Sequence, residues 1–121
     1  MGCNGENLHE SIPYRTSMSF QRLRNFSIAR RELLPFISSL EENDILIAIG
    51  VADEAQSPLG FKQLALLKLA PPSTLQRRLK KLLLNRTIKK TTQGADGRRV
   101  AYSLTAKTLA AYQQFILKIF R

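Results

Sequence analysis

Hydroxyl and cationic side chains are concentrated in the segment "STLQRRLKK", which supplies Ser73, Thr74, Arg77, Arg78, Lys80 and Lys81. Hydroxyl, ammonium and guanidinium groups all donate hydrogen bonds, and a guanidinium binds planar oxyanions through parallel N–H groups. No histidine, cysteine or paired carboxylate accompanies them in the C-terminal half of the chain. The set therefore favours the binding of a large anion, and we expect no enzyme, metal site or cofactor.

The same segment has the apolar periodicity of a helix over residues 73–85. Its apolar stripe consists of Leu75, Leu79, Leu82 and Leu83. The opposite side carries Ser73, Thr74, Arg77, Lys80 and Lys81. Solubility alone can explain cations on a solvated helix face, but no acid occurs between Glu54 and Asp96. Because ion pairs within the helix cannot neutralise these cations, the pattern favours a polyanionic partner.

A second group of cations lies in a segment with the pattern of a β-hairpin, residues 87–105. The second strand has one apolar face, formed by Val100, Tyr102 and Leu104. A partner strand that turns Ile88 to the same face requires an odd number of loop residues. We therefore expect a three-residue turn that ends in a left-handed Gly97. The cations of this hairpin lie near its tip and on its first strand: Arg98, Arg99, Lys89 and Lys90.

The charge of the chain is distributed unevenly. The formal net charge is +10, but residues up to Gly60 carry 5 Lys and Arg against 8 Asp and Glu, whereas those from Phe61 onward carry 14 against 1. This imbalance indicates nucleic acid first and an anionic membrane surface second. The longest apolar run is too short to span a bilayer. Because the chain has a single cysteine, Cys3, and no secretory signal pattern, we expect one cytoplasmic domain without a membrane partner.

The remaining elements are assigned from apolar periodicity and capping residues. Residues 1–18 lack periodicity and are predicted to form a flexible tail, followed by a domain over residues 19–121. We expect helices over residues 19–35, 39–54, 61–69, 73–85 and 106–120. Ser38 or Ser39 is the expected N-cap of the second helix, with Glu41 or Glu42 three residues on. Residues 61–69 and 73–85, joined by "APP", form a helix-turn-helix pattern, and Ser73 with Gln76 is the expected cap of its second helix.

The last predicted helix has an apolar face that is wide for the end of a small domain. That face repeats Leu109, Tyr112, Phe115 or Ile116, and Ile119 or Phe120, of which Leu109, Tyr112, Ile116, Ile119 and Phe120 are the expected interface residues. Burial against a second copy of the chain is the favoured interpretation, and folding back onto the same domain is the alternative.

This mainly helical order with one hairpin resembles a winged helix-turn-helix protein, most similar to the MarR family of bacterial transcriptional regulators. The resemblance covers roughly Leu40 to Phe120. Its most specific part is Asp96-x-Arg98 followed after five residues by Leu104-Thr105. Two positions where the family often has glycine hold Arg86 and Thr108 instead.

The resemblance implies sequence-specific binding of double-stranded DNA by a repressor-like homodimer. It places Ser73, Thr74, Arg77 and Arg78 in the major groove, and Arg98 in the minor groove beside Asp96. We expect further DNA contacts from cations of the helix and hairpin: Lys80, Lys81, Lys89, Lys90 and Arg99. The resemblance also implies space for a small aromatic effector between the wing domain and the dimer helices, although no residue identifies one.

A winged-helix module that binds RNA or a protein partner is the alternative function class. Few aromatic residues accompany the basic segments, and single-stranded RNA recognition depends on aromatic stacking. The composition therefore favours duplex DNA over single-stranded RNA.

Overall fold

A computed structural model describes residues 6–93, 97 and 99–120, and within them the chain forms five helices and one antiparallel hairpin. The elements are α1 (Glu6–Leu33), α2 (Leu40–Glu54), α3 (Phe61–Leu66), α4 (Pro72–Leu84), β1 (Ile88–Gln93), β2 (Arg99–Leu104) and α5 (Ala106–Ile119). The mainly helical class with a small hairpin, predicted from the sequence, is confirmed.

The chain divides into two compact units. The central unit is Phe36–Gln113, and the terminal unit combines the residues up to Pro35 with those from Gln114 onward. In the terminal unit, the rings of Phe26 and Phe115 meet edge to face with centroids 5.1 Å apart. This contact packs α1 against the end of α5.

Helix α1 is longer than the sequence analysis predicted. A flexible tail over residues 1–18 was expected because no apolar stripe is present there, yet the backbone is helical from Glu6. The backbone hydrogen bonds of a helix do not depend on an apolar stripe, so the absence of periodicity did not exclude helix in this segment. Residues 1–5, which include Cys3, lie outside the described residues.

Helix α2 begins at a side-chain cap and runs through the core of the central unit. The Ser39 hydroxyl accepts a hydrogen bond from the Glu42 N–H at 3.1 Å, so that Ser39 is the N-cap. Farther along the helix, Ile45, Leu46 and Ile49 are completely buried. The predicted start of this helix is therefore confirmed, with Ser39 rather than Ser38 as the capping residue.

The turn between α3 and α4 differs in detail from the predicted one. Helix α3 ends at Leu66, three residues before its predicted end, and Lys68 has a left-handed φ of 55°. Pro71 occupies the N-cap position of α4, and Pro72 is its first residue. The predicted cap by Ser73 and Gln76 is wrong, because Ser73 already lies inside the first turn.

The hairpin has the predicted register. Ile88 pairs with Leu104 and Gln93 with Arg99, which leaves an odd number of residues between the last pair. Gly97 has a φ of 66°, the left-handed conformation that was expected. Gly94, Ala95, Asp96 and Arg98 lie outside the described residues.

Strand β2 is buried on both faces near its C-terminal end, which corrects the prediction of one apolar face. Ala101 and Ser103 are as buried as Tyr102 and Leu104, whereas Val100 is exposed. The C-terminal half of β2 is contacted by β1, by the backbone at Leu59 and by Asp53 of α2. The Tyr102 N–H donates to the Leu59 carbonyl at 2.9 Å, and the Ser103 hydroxyl donates to Asp53.

Arg86 and Thr108 stand at positions where the family often has glycine, and both make contacts near the C-terminal end of α4. Arg86 has a φ of 58°, and its N–H and that of Thr87 donate to the Leu83 and Leu82 carbonyls, which is a Schellman motif. Thr108 is buried, and its hydroxyl donates to the Thr87 carbonyl at 2.8 Å. Arg86 thus adopts the backbone conformation that favours glycine, and the Thr108 side chain joins the first turn of α5 to the segment that follows α4.

Replacement of Arg86 by glycine should stabilise the protein. The left-handed conformation costs an L-residue about 1–2 kcal/mol, and the greater freedom of glycine in the unfolded chain offsets roughly 0.5–1 kcal/mol of this. We expect Arg86→Gly to raise the free energy of unfolding by up to about 1 kcal/mol, measured by denaturant unfolding. Asn85, whose φ is −83°, is the matched control, and Asn85→Gly should give no gain. A destabilised Arg86→Gly variant would contradict the interpretation.

Candidate nucleic-acid interface

Helix α4 has one face in the core and one face in solvent. Leu75, Leu79 and Leu82 are buried, as the predicted stripe requires, and Leu83 is half-buried. Burial of three leucines fixes the rotation of the helix about its own axis, because any other rotation would expose them. The orientation of every polar side chain on α4 follows from that constraint.

The solvent face of α4 carries a row of three side chains. Ser73, Arg77 and Lys80 are exposed and follow the i, i+4, i+7 spacing of one helix face. In the part of the chain that the structure describes, none of the three forms an ion pair or a side-chain hydrogen bond. We call Ser73, Arg77 and Lys80 the free row. Thr74, at the edge of this face, is half-buried.

Arg78 and Lys81 are oriented differently, toward the first turn of α2. Arg78 Nε lies 2.8 Å from Glu41 Oε1, and Arg78 Nη1 lies 3.2 Å from Glu42 Oε2. Lys81 Nζ lies 3.0 Å from the same Glu42 oxygen and 2.9 Å from the Ser38 hydroxyl. The sequence argument that no acid neutralises the cations of this helix is therefore wrong for these two residues. Their partners lie more than 35 positions away in the chain.

Glu42 is the central residue of this ion-pair cluster. Its side chain is fully buried, and its carboxylate also accepts the Ser38 N–H at 3.3 Å. Burial alone would raise the pKa of Glu42, but the hydrogen bonds from Lys81 and Ser38 favour the carboxylate and hold the pKa below its ordinary value. Glu42 is therefore charged at neutral pH, and it joins the N-terminus of α2 to α4.

The stabilisation by Glu42 should depend on pH. A carboxylate with a lowered pKa stabilises the fold above the ordinary glutamate pKa of about 4.3, and this contribution is lost as the pH falls through the lowered value. We expect Glu42→Gln to lower the free energy of unfolding by about 1–3 kcal/mol at pH 7. The difference from the wild type should shrink toward zero in acid, as followed by thermal melts across pH.

Asp44→Asn is the matched control for that experiment, because Asp44 is an exposed acid on the same helix without an ion pair among the described residues. Its unfolding free energy should follow the wild type at each pH. A Glu42→Gln deficit that persists undiminished at low pH would show that packing, and not charge, is responsible.

The hairpin supplies the second set of cations. Lys89, Lys90 and Arg99 are all exposed, and Lys89 and Lys90 are on opposite faces of β1 because successive strand residues alternate. Asp96 and Arg98, the two residues that carry the predicted minor-groove contact, lie outside the described residues. Their roles stay predictions.

Two contacts that the sequence analysis missed hold the hairpin in place. Asp53, in the last turn of α2, accepts the Ser103 hydroxyl at 2.9 Å and the Leu104 N–H at 3.1 Å. On the same edge of β2, a Cβ at Gly60 would lie 2.9 Å from the Val100 carbonyl oxygen, so that only glycine permits this close approach. The position of Asp53 near the end of a helix carried no sequence signal for a strand partner.

The residues predicted for a dimer interface fall into two groups. Leu109, Ile116 and Phe120 are exposed, with 78% of Phe120 accessible, and Ile119 is half-buried. Tyr112 instead donates its hydroxyl hydrogen to Asn43 Oδ1 at 3.0 Å and packs edge to face with Phe36. Burial raises the pKa of the Tyr112 hydroxyl. Tyr112 is thus half-buried and contacts other residues of the central unit, whereas the other residues remain available to a partner.

A short helix, a turn and a second helix followed by a β-hairpin define the winged helix-turn-helix class. Among solved structures, the chain is similar to S. aureus MepR bound to ethidium bromide, with 18% identity, 91% of this chain and 74% of that chain aligned, and a TM-score of 0.72. It is also similar to RV1404 from Mycobacterium tuberculosis, with 14% identity, 99% and 79% coverage, and a TM-score of 0.72. Wild-type MarR from E. coli aligns at 16% identity over 86% of this chain and 75% of that chain, with a TM-score of 0.55.

No family model and no curated protein matches the sequence itself. The similarity therefore lies in the fold, and at this level the resemblance to MarR-family winged-helix regulators is confirmed. One of the similar solved structures is described as a transcriptional regulator, Tm0710 from Thermotoga maritima. Over the described residues, no helix is long and apolar enough to cross a membrane, and no group of three acidic, histidine or cysteine side chains could hold a metal ion.

Proposed function

We propose that this protein is a bacterial regulator of transcription that binds double-stranded DNA in a sequence-specific manner. The observation that carries the proposal is the free row of α4. Ser73, Arg77 and Lys80 point to solvent on a helix whose opposite face is locked in the core. An unpartnered, fixed row of donors and cations is what a recognition helix presents to the major groove.

Different residues of the free row would contact the bases and the phosphates of the duplex. The Arg77 guanidinium can donate two hydrogen bonds to guanine O6 and N7, a contact that discriminates between bases by about 1–3 kcal/mol. Ser73 and Thr74 supply shorter donors and acceptors near the start of the helix. Lys80 would contact phosphates, together with the hairpin cations Lys89, Lys90 and Arg99. Such contacts position the protein without specifying a sequence.

The proposed complex retains the predicted role of the hairpin tip. Arg98, oriented by Asp96, would enter the minor groove beside the recognition helix, where a narrow groove attracts arginine. The exposed cations Lys89, Lys90 and Arg99 on the described part of the hairpin support contact of this element with DNA.

We further propose that the protein acts in the cytoplasm as a repressor-like homodimer. Large apolar side chains are exposed in both chain segments of the terminal unit, among them Phe20, Leu23, Ile116, Leu117 and Phe120. A cleft of about 570 Å³ in this unit lies between α1 and the end of α5 and is lined partly by Phe26, Ile28, Ile119 and Phe120. We propose that this surface is buried against a second copy, and that the two α4 helices of the homodimer bind two half-sites in successive major grooves. An effector site stays a prediction.

Binding to a protein partner is the second candidate function. Three large apolar side chains of the helix-turn-helix, Leu66, Leu67 and Leu84, are exposed. Leucine contributes little to phosphate binding, so these side chains favour an apolar partner over DNA. Filter binding of duplex DNA and of structured RNA of equal length distinguishes the candidates. Preferential binding of the duplex supports the DNA-binding regulator, whereas the absence of binding to both nucleic acids supports a protein partner.

Substitutions in the free row test DNA binding directly. Arg77→Ala should weaken binding to a selected duplex by about 1–3 kcal/mol and relax preference at one base position. Lys80→Ala should weaken binding to selected and random duplexes alike and flatten the salt dependence by about 0.9 in log–log slope. Both are measured by fluorescence anisotropy on duplexes selected from a random pool.

Arg24→Ala is the matched control, because it removes an exposed cation of α1, in the terminal unit. It should change neither base preference nor random-duplex affinity as much as Lys80→Ala does. Equal losses for all three variants would mean that only net charge matters, and the proposal of sequence reading would then fail.

The homodimer is tested by sedimentation velocity. Ile116→Asp places a charge in the proposed interface, and we expect the dimer to dissociate into monomers because an unpaired charge is costly to bury. Val51→Asp is the matched control on α2, where Val51 is exposed in the central unit. Dissociation by both variants, or by neither, would argue against the terminal unit as the interface.

A further inference from the structure

Arg78 holds two carboxylates that differ sharply in exposure. Its Nη1 contacts Glu42, whose side chain is fully buried, and its Nε contacts Glu41, 40% of whose side chain is accessible. The Arg78 side chain is itself 23% accessible. One half of this arrangement therefore lies in the core, and the other half lies at the surface of α4.

The two contacts differ in how readily they can be exchanged. If the contact between Arg78 and Glu42 breaks, the Glu42 carboxylate stays buried and loses one of its hydrogen-bond donors, which is costly. The Glu41 carboxylate is partly hydrated, and ion pairs at such accessible positions contribute little to stability. A competing oxyanion can thus displace Glu41 from Arg78 while the Glu42 contact remains.

A DNA phosphate is the oxyanion that this edge of α4 would meet in the proposed complex. Arg78 follows Arg77 of the free row directly, and Lys81, 47% accessible, lies one turn further along the same edge. Phosphate and carboxylate oxygens present equivalent acceptors to a guanidinium. Phosphate contacts also release condensed counterions from the duplex, which favours the exchange at low salt.

We propose that Glu41 occupies the place of a DNA phosphate on Arg78 in the free protein, and that Arg78 exchanges Glu41 for a phosphate when a duplex binds. This inference rests on the proposed function. It assigns Arg78 to the DNA backbone instead of the base edges, and it makes Glu41 an internal competitor that lowers the affinity for every duplex regardless of sequence.

A double-mutant cycle tests the exchange. Glu41→Gln removes the competing charge and keeps the length of the side chain, whereas Arg78→Gln removes the cation and keeps an N–H donor for the buried Glu42. Affinity for a random duplex is measured by fluorescence anisotropy at several salt concentrations for the wild type, both single variants and the double variant. Thermal melts report whether each variant is folded.

Glu41→Gln should raise affinity several-fold at low salt and leave the log–log salt slope almost unchanged, because Arg78 contacts a phosphate in both complexes. Arg78→Gln should flatten the slope by about 0.9, the contribution of one phosphate contact. In the Arg78→Gln background, Glu41→Gln should have almost no effect. Asp44→Asn, which removes an exposed acid of α2, is the matched control. Its effect should be smaller, and it should be the same with and without Arg78.

Two outcomes would overturn the inference while leaving the proposed function intact. An equal gain from Glu41→Gln in both backgrounds would mean that Glu41 only repels DNA. If Glu41→Gln gives no gain in duplex affinity, while Lys80→Ala still weakens binding, then Arg78 remains paired with Glu41 and Glu42 in the complex. Failure of the folded wild type to bind any duplex would overturn the proposed function and this inference together.

Discussion

The buried carboxylate of Glu42 is the interaction on which the geometry of the proposed interface depends. It accepts hydrogen bonds from the backbone that precedes α2 and from two cations of α4, so that a single side chain joins the start of one helix to the flank of another. A buried carboxylate is tolerated only when its oxygens are satisfied. Glu42 therefore requires Arg78 and Lys81 as its partners. Arg77 and Lys80 have no such partner among the described residues, and their charges remain in solvent.

Much of the fold follows from local patterns in the sequence. The apolar stripe of α4 is the face that the core buries, and the parity of the hairpin led to the observed register, including the left-handed Gly97. These predictions succeeded because periodicity and turn chemistry act between near neighbours. They specify which side of an element is buried, but not which element covers it.

The parts that could not be predicted depend on contacts between distant segments. Glu41 and Glu42 have a local role at the start of a helix, and nothing in the sequence around them indicates a partner in α4. For the same reason, Asp53 gave no sign of its bonds to β2, and Tyr112 was assigned to a dimer interface although Asn43 and Phe36 lie beside it. The left-handed conformation of Arg86 could not be predicted either, since Gly or Asn is the usual sequence signal for such a helix end.

Helix α2 connects to both elements of the proposed interface, to α4 at its beginning through Glu42 and to β2 at its end through Asp53. At a rise of 1.5 Å per residue, these two anchors lie about 16 Å apart along a rigid rod. The spacing between recognition helix and hairpin is therefore set by the length of one helix instead of by a hinge. In the proposed complex, a duplex whose groove spacing matches this fixed distance binds without deformation. A duplex with a different groove spacing must bend to contact both the recognition helix and the hairpin.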